Sequence, residues 1–358
     1  MIISVDCSGT ESVLDVARNY RWSHGEKYVE YAEQNLGLRK HVLKCGNYLN
    51  QYDLSAIAVF EDDILPSKYF YSFAAQAVSK YRCDRNIGGI SLYSHHINPG
   101  TGCFFHPLYS RYDVFFMQYA QSWGQIWLRD QWNDFIAWYD EHQEWPPERA
   151  ELIPDDVLGW SESSWLKYHI AYCILNDKWF VYPYEALTTN YMEMGEHNRE
   201  LICTNYQIPF RNNEKSDMIL PDLSEQDTVK YDAFFENVEL ENVICDGRRV
   251  LVDLYGNKKD YSGYDFILSS NEFDAESVKT YGLALRPLEN NIIYNVQGDF
   301  FSLYKISEVK MGHKKSDTEH ELQWMEYNFK LMTSTRQSCK VLAYKLKKYL
   351  FDRVKKQR

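Results

Sequence analysis

Over roughly the first 200 residues, short apolar runs alternate with stretches in which apolar positions recur every three to four residues. That alternation predicts strands and helices in turn, an α/β architecture. Ile2 to Asp6 reads as a short buried strand and Ser12 to Tyr20 as helical. Leu36 to Leu49 reads as a helix, with Leu38, Val42 and Leu49 set among Arg39, Lys40 and Lys44. Leu54 to Phe60 is the strongest buried strand of the chain; it stops abruptly at Glu61-Asp62-Asp63, and Pro66 opens a helix to about Tyr81. Strands follow at Ile87 to Tyr93 and Asp113 to Gln118, then a Trp-rich helical region over 124–140. Ser163 to Asn176 reads as a helix and Trp179 to Tyr182 as a strand that ends at Pro183.

The pattern changes after about residue 205. Residues 206–228 are polar, with two prolines, and read as a linker or arm. Residues 229–310 hold short apolar runs separated by turn signals at Asp246-Gly247 and Gly256-Asn257, which predicts a small β-rich module. Residues 317–358 read as a helical tail. Its last part, 337–358, carries eight Lys or Arg and one Asp, with Leu342, Leu346, Tyr349, Leu350 and Val354 at helical spacing. This is a basic amphipathic helix, expected to reach an anionic membrane surface or else to pack its apolar face on the protein.

The chain is 358 residues long, enough for two domains or one large one. Its net charge of −12 argues against a broad nucleic-acid surface, so no nucleic acid is expected as a partner. An acidic protein that holds a phosphorylated ligand needs a cation or a local basic cluster. The eight cysteines are scattered without a CxxC pair, as in a reducing compartment, and no apolar run reaches transmembrane length. The N-terminus begins directly as a strand, without the features of a signal peptide. Twenty-nine Tyr and ten Trp suit either a large aromatic core or a cleft on which sugar rings stack.

The chemistry concentrates at Glu61-Asp62-Asp63. Ligands of open α/β sheets bind at the C-terminal ends of strands, where this triplet stands. Three adjacent carboxylates repel one another, and a divalent cation relieves that repulsion while bridging to phosphate oxygens. The simpler reading is a solvated acidic turn ahead of the Pro66 helix. His95, His96 and His106 have no third ligand at suitable spacing and read as loop histidines. No GxGxxG, P-loop, GxSxG or HExxH motif occurs.

The strand, the EDD triplet and the following Leu-Pro, preceded by NLGLRKHVLKCGNYLNQYD and followed by a helix and GGISLY, resemble inverting glycosyltransferases of the GT-A fold. The likeness is to the N-acetylglucosaminyltransferase type of N-glycan processing and its bacterial surface-polysaccharide relatives, over roughly residues 1–200. The resemblance implies a Rossmann-like mixed sheet flanked by helices in residues 1–205, and a nucleotide-sugar donor, most simply a UDP-sugar. It implies a Mn²⁺ or Mg²⁺ ion on Asp63, with Glu61 and Asp62 on the ribose and donor sugar. Asp6 of ISVDCSG matches the aspartate that contacts the base, and His41 matches a histidine lining the base pocket. Trp123 and Gly124 fall in the family's acceptor segment. Glu162, between Trp160 and Trp165, matches the catalytic base, with Asp155 and Asp156 as alternatives. Gly195 and His197 match a loop over the donor diphosphate. The family places a further strand ahead of ISVD that this sequence does not supply.

The implied activity is sugar transfer to a hydroxyl of a glycan or lipid-linked glycan, in surface polysaccharide assembly. The implied location is cytoplasmic, peripheral to the inner face of the plasma membrane. The alternative is a degenerate transferase that acts as a non-catalytic binding subunit.

Overall fold

The computed structural model describes residues 1–191, 204–244, 247–310 and 318–329, with single tail positions at 339, 343 and 346. The chain divides into two units, Met1–His313 and Lys314–Arg358. The first is a mixed α/β body; in the second the described element is a helix at Thr318–Phe329.

In chain order the first unit opens with β1 (Ile2–Val5), α1 (Ser12–Asn19), β2 (Tyr28–Tyr31), α2 (Gly37–Gln51), β3 (Ala56–Val59) and β4 (Ile64–Pro66). It continues with α3 (Phe70–Tyr81), β5 (Ile87–Ser91), β6 (Val114–Met117), β7 (Gln125–Leu128) and α4 (Arg129–Glu141). Then come α5 (Asp155–Leu158), α6 (Leu166–Leu175), β8 (Trp179–Pro183) and β9 (Thr188–Asn190). The remainder holds β10 (Lys230–Tyr231), α7 (Glu241–Ile244), β11 (Val250–Asp253), β12 (Phe266–Ser269), β13 (Ser277–Tyr281), α8 (Glu289–Ile293) and β14 (Phe301–Lys305).

Six strands form the main sheet in the order β10-β6-β8-β5-β7-β3. Their side chains alternate between two cores, as the period of two requires. Phe115, Met117, Trp127, Phe180 and Tyr182 point to one, together with residues of α2, α4 and α6. Val114, Phe116, Ile126, Leu128, Trp179 and Val181 point to the other, against Phe73, Ala74, Ala77 and Tyr81 of α3. Because both faces are covered, the strands read as continuous apolar runs.

Residues 125–128 were expected to be helical and instead form β7, antiparallel to β3 on one side (Ile57↔Trp127) and to β5 on the other (Ile90↔Ile126). Four residues are too few to show a period, so β7 reads as the start of the Trp-rich helix that follows it. Trp127 stacks on Trp132 at 4.0 Å between ring centroids, and α2 crosses this pair through Gly46. A Cβ at position 46 would lie 1.9 Å from the Trp132 ring, so only glycine lets the helix backbone approach that closely.

β1 and β2 form a separate parallel pair (Ser4↔Glu30). β3 bonds only to β7, so its other edge is free among the described residues, and its Ala58 is exposed. This explains why the most apolar strand of the sequence is less buried than β5 to β8.

Residues 206–228 run along the body with many bonds. Ser67 Oγ donates to the Arg211 carbonyl (2.6 Å), Ile219 N to Asp113 Oδ2 (2.8 Å), and Tyr81 OH to the Pro221 carbonyl (2.8 Å). β10 then joins the main sheet beside β6, and β11-β12-β14-β13 make a second, four-stranded sheet.

Candidate active site

Glu61, Asp62 and Asp63 form the turn between β3 and β4, closed by Ile64 N donating to the Glu61 carbonyl at 3.1 Å. β4 leaves this turn paired antiparallel with β9, with Ile64 opposite Asn190. That pairing brings Asn190 Nδ2 to Asp63 Oδ2 at 2.9 Å. The amide cannot flip, because Asn190 Oδ1 accepts from Gln207 Nε2 (3.2 Å), and Gln207 Oε1 in turn accepts from the Thr204 hydroxyl (3.0 Å). The Asp63 carboxylate is therefore held in one orientation. Its other oxygen, Oδ1, is buried and has no hydrogen-bond partner among the described residues.

A buried anionic oxygen without a partner is costly, and a bound cation relieves that cost. Carboxylate oxygens suit a hard ion such as Mg²⁺ or Mn²⁺. Among the described residues no three His, Cys, Asp or Glu side chains form a ready cage. An ion on Asp63 would take its remaining ligands from water and from phosphate oxygens, as Mg²⁺ commonly does. Asp62 is exposed beside it. Glu61 is raised to a pKa of about 7, first by burial and then by the charges of Asp63 and Asp62. Gly195 and His197 lie outside the described residues.

Asp6 stands at the end of β1, with its carboxylate fully engaged. Oδ1 accepts from Cys7 N and Leu36 N (2.8 and 2.9 Å), and Oδ2 accepts from Gly37 N at 3.0 Å. It caps α2 from outside the helix, where exposed N–H groups favour an anion. Burial raises its pKa, but the hydrogen bonds from Leu36, Cys7 and Gly37 and the His41 charge outweigh that, and the net shift is downward. His41 Nε2 meets Ser4 Oγ at 2.8 Å, and Ser4 Oγ also meets Tyr48 OH at 2.9 Å. Burial lowers the His41 pKa, which favours the neutral ring. Ser4 was not singled out in the sequence. Its signal was only the period of two that places it on the same face of β1 as Asp6.

Trp123 and Gly124 form a tightly built turn. Gln121 Oε1 accepts from Ser122 N (2.7 Å) and Trp123 N (3.1 Å), and the Thr188 hydroxyl of β9 donates to the Trp123 carbonyl (2.6 Å). Gly124 has φ +86°, and a Cβ there would meet Thr188 Cγ2 at 2.6 Å, so the position accepts only glycine. The Trp123 ring packs edge-on against Tyr93 (4.9 Å) and Tyr206 (5.2 Å). β9 thus joins the two halves of the site, because Thr188 holds Trp123 and Asn190 holds Asp63.

The three candidate bases differ in surroundings. The Glu162 side chain is 81% exposed and lies 3.7 Å from Lys167 Nζ, whose own side chain is fully covered. Asp155 is also exposed and is paired with Lys259 at 2.6 Å. Asp156 is half-buried, and a Cβ placed on Gly100 would come within 3.0 Å of its Oδ1. Burial raises its pKa, the Asp155 charge adds to this, and backbone N–H groups partly oppose it. After burial, the Asp156 charge also raises the pKa values of Tyr119 and Tyr206.

His95 is buried, bonded through Nε2 to Gln121 Nε2 at 3.0 Å, and burial and then His96 push its pKa down to about 3. It is a neutral core histidine that fixes Gln121, and through it the Trp123 turn.

Among the described residues, no helix is long and apolar enough to cross a membrane. The tail residues Leu342, Tyr349, Leu350 and Val354 lie outside the described residues. In comparison with known proteins, no family model matches the chain, and no curated protein matches it significantly.

Proposed function

We propose that the chain is an inverting, metal-dependent glycosyltransferase with a GT-A arrangement, acting on a nucleotide-sugar donor and a glycan hydroxyl. The observation that carries this reading is the buried, unpartnered Asp63 Oδ1, held by Asn190 at a strand end beside Glu61 and Asp62. A divalent ion bound there would supply positive charge against the leaving diphosphate. The acceptor oxygen attacks the anomeric carbon of the donor sugar, the bond from that carbon to the diphosphate oxygen breaks, and the acceptor proton passes to a carboxylate. Asp156 is the base this geometry favours over Glu162 and Asp155. It is half-buried, with a pKa raised by burial, whereas Glu162 and Asp155 are exposed and paired with lysines.

Calorimetry of UDP with Mn²⁺ tests the reading. Wild type should bind only with the metal present, and Asp63→Ala should abolish that binding while melting normally. Unchanged affinity in the variant refutes the assignment.

A non-catalytic binding subunit is the second reading, favoured by the full engagement of Asp6 with α2 and by the free edge of β3. Metal-dependent UDP binding without donor hydrolysis, across a panel of nucleotide sugars, would select it.

The basic tail would hold the protein on anionic lipid, each Lys or Arg adding up to about 1 kcal/mol. Co-sedimentation with anionic vesicles at low salt should be lost on truncation to residues 1–336. Equal sedimentation of both forms refutes the membrane role.

A further inference from the structure

Where the chain passes from the main sheet to the β11–β14 sheet, four ionisable side chains are packed together largely away from water. Asp232 and Glu236 belong to the turn that follows β10, Asp253 ends β11, and Lys258 lies in the loop after it. Glu236 and Asp253 are 1% and 0% exposed. Lys258 pairs with Asp232 at 2.5 Å, and its ammonium lies over the Phe234 ring, 5.7 Å from the centroid. Three carboxyls thus share one ammonium. Ionised together they would leave an excess of negative charge out of water, which favours a proton on the carboxyl that is least well paired.

Hydrogen bonds decide which carboxyl that is. Asp253 Oδ1 accepts from Asn257 N (2.9 Å) and Lys258 N (3.0 Å), and its Oδ2 from the Ser269 hydroxyl (2.9 Å). Asp232 Oδ1 accepts from Phe234 N (2.9 Å) and Glu236 N (3.0 Å), and its Oδ2 holds Lys258. Glu236 Oε1 accepts from Tyr255 N (2.8 Å), while Lys258 is engaged by Asp232. Burial raises the Glu236 pKa well above the usual carboxyl range; Lys258 and the Tyr255 N–H oppose this, and the Asp253 and Asp232 charges add to it. Burial also raises Asp253, to about 6. Burial lowers the Lys258 pKa, but the three carboxyls raise it further, so it stays charged. The remaining titratable neighbours are Tyr255, Tyr261 beside Asp253, and the Tyr231–Glu289 pair at 2.6 Å. Phe235, inside the turn, is held at φ +66°, a strained conformation for a residue with a side chain. Two contacts lead from the cluster toward the candidate base. Asn98 Nδ2 donates to the Phe234 carbonyl (3.2 Å) and Asn98 Oδ1 accepts from Gly100 N (3.0 Å), beside Asp156. Lys259, next to Lys258, pairs with Asp155 at 2.6 Å.

We propose that this cluster is a proton-controlled latch, which holds the 232–237 turn against the 253–258 loop while Glu236 keeps a proton and opens locally, toward the α5 segment, as that proton leaves. A carboxyl whose pKa is raised on closing supports the closed form fully in acid and less as pH climbs, because the open form releases the proton first. For one proton the opening constant rises about tenfold per pH unit until the closed form ionises too. An effect on catalysis through Asp156 rests on the transferase reading; the latch itself does not.

Hydrogen exchange of the full chain from pH 6 to 8, read as protection factors corrected for the intrinsic rate, tests this. Protection over 232–237 and 253–258 should fall about tenfold per pH unit, with a smaller fall at 155–158, while β5 and β8 keep theirs. Glu236→Gln, which keeps the shape and never ionises, should hold protection level. Asp253→Asn, which removes one neighbouring negative charge, should lessen the fall and serves if the first variant fails to fold. Glu289→Gln should leave the fall unchanged. Level protection in wild type, an equal fall throughout the body, a fall that only Glu289→Gln removes, or an undiminished fall in both cluster variants overturns the latch. A fall confined to the cluster, with 155–158 unchanged, keeps the latch and overturns its reach toward the base. UDP binding, which tests the transferase reading, is measured apart from these exchange rates, so either idea can fail alone.

Discussion

Replacing Glu61 by glutamine should stabilise the protein at neutral pH and leave it unchanged in acid. The folded protein holds this carboxyl at a pKa of about 7 against an ordinary 4.5, through burial and then the charges of Asp63 and Asp62. A carboxyl whose folded pKa is raised leaves stability intact below its unfolded pKa and erodes it as pH climbs from about 4.5 to about 7, because the unfolded chain releases the proton first. Above pH 7 the full difference amounts to roughly 3 kcal/mol. Glu61 is only partly buried, so solvent reduces this to about 1–2 kcal/mol. Glutamine keeps the shape and never ionises. The variant should therefore melt about 2–4 °C above wild type at pH 8 and together with it at pH 4. Bound Mn²⁺ offsets the same repulsion, so the metal should narrow the gap at pH 8. Parallel stability profiles for the two proteins from pH 4 to 8 would show that neither burial nor the neighbouring carboxylates raise the Glu61 pKa.

Asp156→Asn should cut sugar transfer by about 10² or more with metal-dependent UDP binding retained, the usual loss for a positioned base. Glu162→Gln should leave turnover near wild type, and the reverse pattern would return the base to Glu162. Gly46→Ala should cost about 3 kcal/mol in urea denaturation, since its Cβ would overlap the Trp132 ring and the stacked Trp127 leaves little room to move. An unchanged urea midpoint would mean that α2 can lift off this pair freely.

The sequence by itself determined what is local. The α/β class, the helices α2, α3 and α6, and the strand that ends at Glu61-Asp62-Asp63 follow from helical spacing or unbroken apolar runs long enough to show them, although Pro66, expected to open α3, instead ends β4 and the helix begins at Phe70. Tertiary structure decided what depends on distant partners. β7 is four residues of no distinct period, and it is a strand because β3 and β5 flank it. Asn190 carried no signal in TTNY, and it orients Asp63, 127 positions away, only because β9 pairs with β4. Asp6 looks free at a strand end, but the N-terminus of α2 takes both of its oxygens. Asp155, Asp156 and Glu162 are equivalent as letters. Burial separates them, leaving one half-buried beside Gly100 and the other two exposed and paired with lysines. A residue's type sets the chemistry it can do, whereas its pKa, orientation and free valence come from neighbours that the chain brings near only on folding.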